Sequence, residues 1–347
     1  AEPVRLDHVT SAMDVHPDEA NGPGWYAIAF KSGRSPGLEL GISGRLNLDT
    51  FDAEIETLEA EIDAGPDTIG TLPGPLGSLL EQHEVRGALE ASGNATLNVR
   101  RPLGGTAKLA VRGRSLHLAV GEYRFPAESL LIDAGFAEGV LTVDPLEARL
   151  LGGTLRSEGR VELTAAGRPA RGVCTLDGIN LREALRRAPG DGPPRLAGIL
   201  SGRLEALTLL ETPRASLEGS GDAGVKDGRL LLLPGLTQLS NLINRGGFKD
   251  TGASNHRGSA VFSLGAAGAT ITRSEIVTNT LAARGTGLIG FDRTLDLRVN
   301  AGPLERIQSL LGPVGDLLGK VTDQLVKYTI KGTIDKPDVG VAPLGLD

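Results

Sequence analysis

The chain is poor in the residues on which most small-molecule and nucleic-acid chemistry depends. One cysteine, Cys174, occurs in 347 residues, which excludes an intramolecular disulfide and a cysteine-based zinc site. Aromatic residues make up only 3%, leaving few platforms on which single-stranded nucleic acid could stack. No Lys/Arg block exceeds short pieces such as Arg182, Arg186 and Arg187, and the net charge is −7, so the footprint of a polyanion ligand is missing. No nucleic-acid partner is expected. No apolar run reaches the roughly 18 residues that a membrane-spanning helix requires. The opening Ala1-Glu2-Pro3 has neither an initiator Met nor a basic-then-apolar leader, and the expectation is a mature or excised piece from which an upstream membrane anchor has been removed.

Catalytic motifs are equally sparse. The histidines His8, His16, His83, His117 and His256 are scattered without H-x-x-x-H or H-E-x-x-H spacing. No G-x-S-x-G or phosphate loop is present, and Gly152-Gly153 and Gly246-Gly247 lie in the wrong context for phosphate. Cys174, between Val173 and Thr175 in a strand-like run, reads as an inert buried thiol. Asp52, Glu54, Glu56, Glu59, Glu61 and Asp63 alternate with Ile55, Leu58 and Ile62, the pattern of a solvated strand face and its neighbour. An enzyme, a metal and a cofactor are all disfavoured.

What is abundant is aliphatic residue and glycine. Hydrophobic residues are 40% and glycines number 49, enough for a sizeable core. Alternation with period 2 dominates. From Leu38 the apolar set is Leu38, Leu40, Ile42, Leu46 and Leu48, a strand about 35 Å long at the usual rise. Val85 to Val99 repeats the scheme through Leu89 and Leu97. Leu109 and Val111 give way to Leu116, Leu118 and Val120 with a change of phase near Gly113, as a bulge would produce. Further runs are 155–163, 198–206, 217–225, 260–264, 281–291, 295–299 and 326–334, predicting a dozen or more strands.

Helical pieces are expected at 75–83, 181–188, 235–245 and 304–327. In the last, Leu304, Ile307, Leu311, Val314, Leu318, Val321 and Leu325 form one apolar stripe, kinked at Pro313. Turn-rich clusters lie at 21–24, 73–75 and 188–194, and the A-P-G-D-G-P-P run marks the expected boundary between an amino-terminal half, 1–188, and a carboxy-terminal half, 189–347. A loose G-x-L-x-x-S-G unit recurs at Gly87 to Gly93 and Gly153 to Gly159, with a cousin at Leu196 to Gly202.

Four segments carry a family resemblance by their order along the chain. They are L-D-G-I-N-L-R-E-A-L from Leu176, S-L-E-G-S-G-D-A-G-V-K-D-G-R-L from Ser216, the stretch from Ser263 to Val299, and the closing Y-T-I-K-G-T-I-D-K-P-D-V from Tyr328. Together they resemble the C-terminal region of AsmA-like proteins. That resemblance implies a twisted, groove-like β-sheet with an apolar concave face, anchored to the inner membrane and projecting into the periplasm. Relatives of this group are linked to phospholipid transport between the inner and outer membranes and to outer-membrane integrity. The chain is shorter than the longest members.

The resulting expectation is a mainly β protein: a long, twisted, mostly antiparallel sheet forming a groove or taco, with a few short capping helices. Its inward residues would bind phospholipid or another acyl lipid, and the named set is Leu38, Leu40, Ile42, Leu46, Leu48, Leu89, Leu97, Leu109, Leu118, Leu281, Ile289 and Leu297. The same residues could instead face one another in a dry sandwich core. A non-catalytic module that docks other envelope proteins through its strand edges is the alternative function.

Overall fold

The computed structural model describes residues 11–32, 37–72, 74–120, 123–186, 196–230, 233, 235–243, 255–279, 281–303 and 326–341. The expected helix at 304–327 lies outside this set except for Val326 and Lys327, which open a strand instead. The protein is mainly β, and its described residues form an open sheet of eighteen strands. Each described ladder is antiparallel and joins strands that are consecutive in the chain.

The strands divide between two compact units. The first holds β1 (Ser11–Pro17), β2 (Trp25–Ser32), β3 (Leu38–Asn47), β4 (Asp52–Asp63), β5 (Arg86–Asn98), β6 (Arg101–Val120), β7 (Tyr123–Ala137), β8 (Val140–Leu150), β9 (Gly153–Glu162) and the start of β10 (Pro169–Asn180). The second begins at Thr175 and continues with β11 (Ile199–Leu209), β12 (Glu218–Gly228), β13 (His256–Gly265), β14 (Gly268–Val277), β15 (Leu281–Gly290), β16 (Thr294–Pro303), β17 (Val326–Thr333) and β18 (Pro337–Val341). The division falls inside β10, upstream of the Gly/Pro-rich run at 188–194 where the sequence placed it. Among the described residues three short α-helices lie between the strands: α1 (Gly74–Gln82), α2 (Leu181–Arg186) and α3 (Leu236–Ile243).

In the first unit, register turns the alternation of single strands into continuous rows. Leu38 pairs with Ile62, Ile62 with Leu89, Leu89 with Gly113, Gly113 with Leu130 and Leu130 with Ala148. Two residues along, Leu40, Ala60, Ala91, Val111, Ile132 and Leu146 form the next row. Register shifts between Ile55 and Leu58 on β4, and between Val143 and Leu146 on β8, keep the aliphatic side chains on one face where the sequence slips phase. The phase change on β6 occurs at Ser115, whose φ of 52° places it in the left-handed region.

Because strands alternate in direction, the β3–β4, β5–β6 and β7–β8 turns lie at one end of this unit, and α1 lies at the other. There Leu72, Leu80 and Leu76, with Ile69, pack onto Leu38, Leu89, Leu116 and Ala127, forming a core of the chain's own side chains. Gly113 makes this possible, since a Cβ there would sit 2.5 Å from Leu116 Cδ1 and 3.0 Å from Leu89 Cδ2. In the second unit α3 does the corresponding work: Leu236 and Leu239 cover Leu281, Ala283, Val299, Tyr328 and Ile330. Gly235, at φ 81°, lets that helix approach within van der Waals range of Ile330.

Leu116 and Leu239 are both fully buried. Truncating either to Ala is expected to lower the free energy of unfolding by about 2–5 kcal/mol, whereas Leu48→Ala at the exposed turn should change it by less than about 0.5 kcal/mol. Urea unfolding followed by far-UV circular dichroism measures both.

Candidate functional site

Beyond α1 the aliphatic face of the first unit continues without a helix over it among the described residues. Along β3 the inward side chains pass from buried Leu38, 9% exposed, through half-buried Leu40, Ile42 and Leu46 to Leu48, 51% exposed. Along β5 they pass from Leu89, 8% exposed, through half-buried Ala91, Ala95 and Leu97 to Val99, 53% exposed. The face is closed by the chain at one end and progressively uncovered toward the turns.

At mid-length an open cavity of about 990 Å³ crosses β4 to β10. Each strand lends three successive residues, and the middle ones form a row of paired positions: Leu58, Gly93, Leu109, Ala134, Val143 and Gly159, extended by Gly172. Every one is aliphatic or glycine. At Gly93 a Cβ would meet the Lys108 carbonyl oxygen at 2.4 Å, so neighbouring backbones come too close there for any side chain. The flanking residues are largely polar, and among them Glu59, Asp133, Asp144 and Glu158 oppose Lys108, Arg160 and Arg171. Arg160 is itself paired with Glu162 at 3.3 Å. With neither sign in excess by more than one, the lining favours no strongly charged ligand as a whole.

The twelve residues named from the sequence separate into three environments. Leu38 and Leu89 belong to the core under α1, and Leu40 packs against that core. Leu281 is fully buried under α3, with Ile289 and Leu297 packed around it. For Leu38, Leu89 and Leu281 the dry-core alternative is the observed arrangement, because the capping helices supply the apolar partners that a ligand would otherwise have to supply. Ile42, Leu46 and Leu97 remain half-buried on the uncovered stretch, Leu48 is exposed beyond it, and Leu109, 41% exposed, lines the cavity. Of Leu118 only the backbone, paired with Phe125, falls within the described residues.

Sequence reasoning missed Leu58, Ala134, Val143 and the glycines of the central row as site residues. Leu58 stood within an acidic run, and Val143 precedes a register shift, so neither belonged to an uninterrupted alternation. Recurrence did offer a signal: Gly93 and Gly159 are the closing glycines of two G-x-L-x-x-S-G-like units, and register brings them into one row.

Among the described residues no group of three or more His, Cys, Asp or Glu side chains is placed to hold a metal ion. Cys174 is half-buried, and desolvation raises its thiol pKa, disfavouring the nucleophilic thiolate. On the acidic strand β4, Glu56, Glu59, Glu61 and Asp63 are exposed while Asp52 and Glu54 are half-buried, and Glu54 accepts a hydrogen bond from Arg45 Nε at 2.7 Å. No family model, curated protein or solved structure matches the chain.

Near the turns, Asp52 is held below the usual carboxylate range by hydrogen bonds from Thr50 and from Asn98, whose Nδ2 donates to Oδ1 at 2.7 Å. A lowered folded-state pKa stabilises the fold above the ordinary carboxylate pKa, and that contribution is lost as pH falls through the folded value. Asn98→Ala is expected to move the Asp52 titration upward, and carboxyl-carbon NMR against pH reads the shift.

Proposed function

We propose that the first unit holds acyl chains of phospholipid or a similar lipid on its uncovered aliphatic face, without catalysis, as a lipid-binding or lipid-transfer protein of the bacterial envelope. One observation carries this reading: rows of aliphatic side chains run in register across successive strands, capped by α1 at one end and only half-buried along the rest. A polypeptide face of this kind satisfies its backbone polar groups by strand pairing and leaves apolar surface for a ligand. Burial at roughly 0.8 kcal/mol per CH₂ would give a long acyl chain on the order of 10 kcal/mol, close to what a bilayer offers, so exchange in either direction is nearly neutral.

The resemblance to AsmA-like proteins supports the same reading and adds a location, the periplasm, with attachment to the inner membrane. The central cavity suits a hydrocarbon passing over Leu58, Leu109 and Val143, the glycines of the row leaving room between them. In the second unit α3 occupies the corresponding surface on β15 to β17, which makes Leu281, Ile289 and Leu297 poor ligand contacts.

Leu109→Asp and Val143→Asp place a charge where a lipid tail would lie but outside both helix-capped cores. Protein purified from cells is expected to carry phospholipid detectable by native mass spectrometry. Either substitution should reduce that load by about tenfold or more with an unchanged unfolding midpoint. Leu89→Asp should instead unfold the first unit. A wild-type protein that purifies free of lipid and bound to a defined envelope protein would favour the interaction module.

A further inference from the structure

We propose that the linked tips of the β3–β4 and β5–β6 hairpins form a membrane-docking surface that inserts into the phosphate and upper acyl layer of a phospholipid bilayer. The inference goes beyond acyl-chain holding and rests on the tips themselves. Leu48, Val99 and Leu103 are 51%, 53% and 47% exposed, and Arg100, Arg101 and Pro102 between them are exposed as well. Three exposed aliphatic side chains thus flank two exposed arginines on this pair of turns.

The tips are also built as one piece. The Val99 N–H donates to the Phe51 carbonyl oxygen at 2.8 Å, joining the two turns. The Arg100 N–H donates to Asn98 Oδ1 at 3.0 Å, and the Arg100 guanidinium lies 3.8 Å from the centre of the Phe51 ring. Phe51 thus supports an arginine that faces outward with its donors available. The acids near these turns are Asp52, which accepts from Asn98 Nδ2, stays ionised and is attracted by Arg101, Asp49 and, from the β7–β8 turn, Glu138, so Arg100 is the guanidinium that the acids of its own turn leave most available.

Charge and shape together select the occupant. Projecting aliphatics interleaved with guanidinium groups match the bilayer interface, where the apolar side chains reach the acyl boundary while each arginine pairs with phosphate oxygens. This end is also the one toward which the aliphatic face of β3 and β5 becomes uncovered, opposite α1.

The test is co-flotation of the full chain with vesicles of phosphatidylethanolamine and phosphatidylglycerol. Wild type should float, and Val99→Asp with Leu103→Asp should lower the bound fraction about tenfold or more. Arg100→Gln with Arg101→Gln should weaken binding and flatten its salt dependence. Circular dichroism and the unfolding midpoint should be unchanged, because none of the four side chains is buried. A wild type that stays with the unbound fraction, or tip variants that float as well as wild type, overturns the proposal. Leu109→Asp should float normally, and the tip variants should keep any lipid acquired during expression, so failure of docking and failure of acyl-chain holding give different results.

Discussion

A β-sheet with one aliphatic face must have that face covered, because several hundred square ångströms of exposed hydrocarbon destabilise a monomer in water. Most domains meet this constraint with a second layer running the length of the sheet. In the first unit the described cover is short: one helix and the turn before it reach the row containing Leu38, Ile62, Leu89 and Leu130, and the rows beyond are shielded only by same-face neighbours. The local structure, the cavity across β4 to β10 and the proposed ligand all follow from that shortfall of protein cover.

The constraint also explains how glycine is used. Bulky residues alone would fill the central row with side chains and crowd the backbones where strands approach closely. Glycines at 93, 159 and 172, in one row with Leu58, Leu109, Ala134 and Val143, leave both room and hydrocarbon. Gly113 and Gly235 serve the opposite purpose, admitting Leu116 and α3 into tightly packed cores. The same residue type opens the face at mid-length and closes it under the helices.

Much of the architecture was legible from period-2 alternation. Strands β3, β5, β9, β11, β12, β15, β16 and β17 coincide with alternating runs, α2 and α3 lie within segments read as helical, and α1 begins and ends one residue before its expected bounds. Strand β7 was harder to see because Leu130, Leu131 and Ile132 are consecutive and hide the alternation, while β8 shifts register between Val143 and Leu146. Which inward residues are covered was not legible. Leu89 and Leu109 look equivalent along their strands, and only the placement of α1 buries one and leaves the other 41% exposed.

Site-specific photo-crosslinking along β5 and β6 tests the central claim most directly. A photoreactive side chain introduced at Leu97 or Leu109, on the aliphatic face, should capture phospholipid in living cells, while the same group at Glu90 or its paired neighbour Arg112, exposed on the opposite face and outside the cavity, should not. Equal capture from both faces, or none from Leu97 and Leu109 in folded protein, would contradict the account.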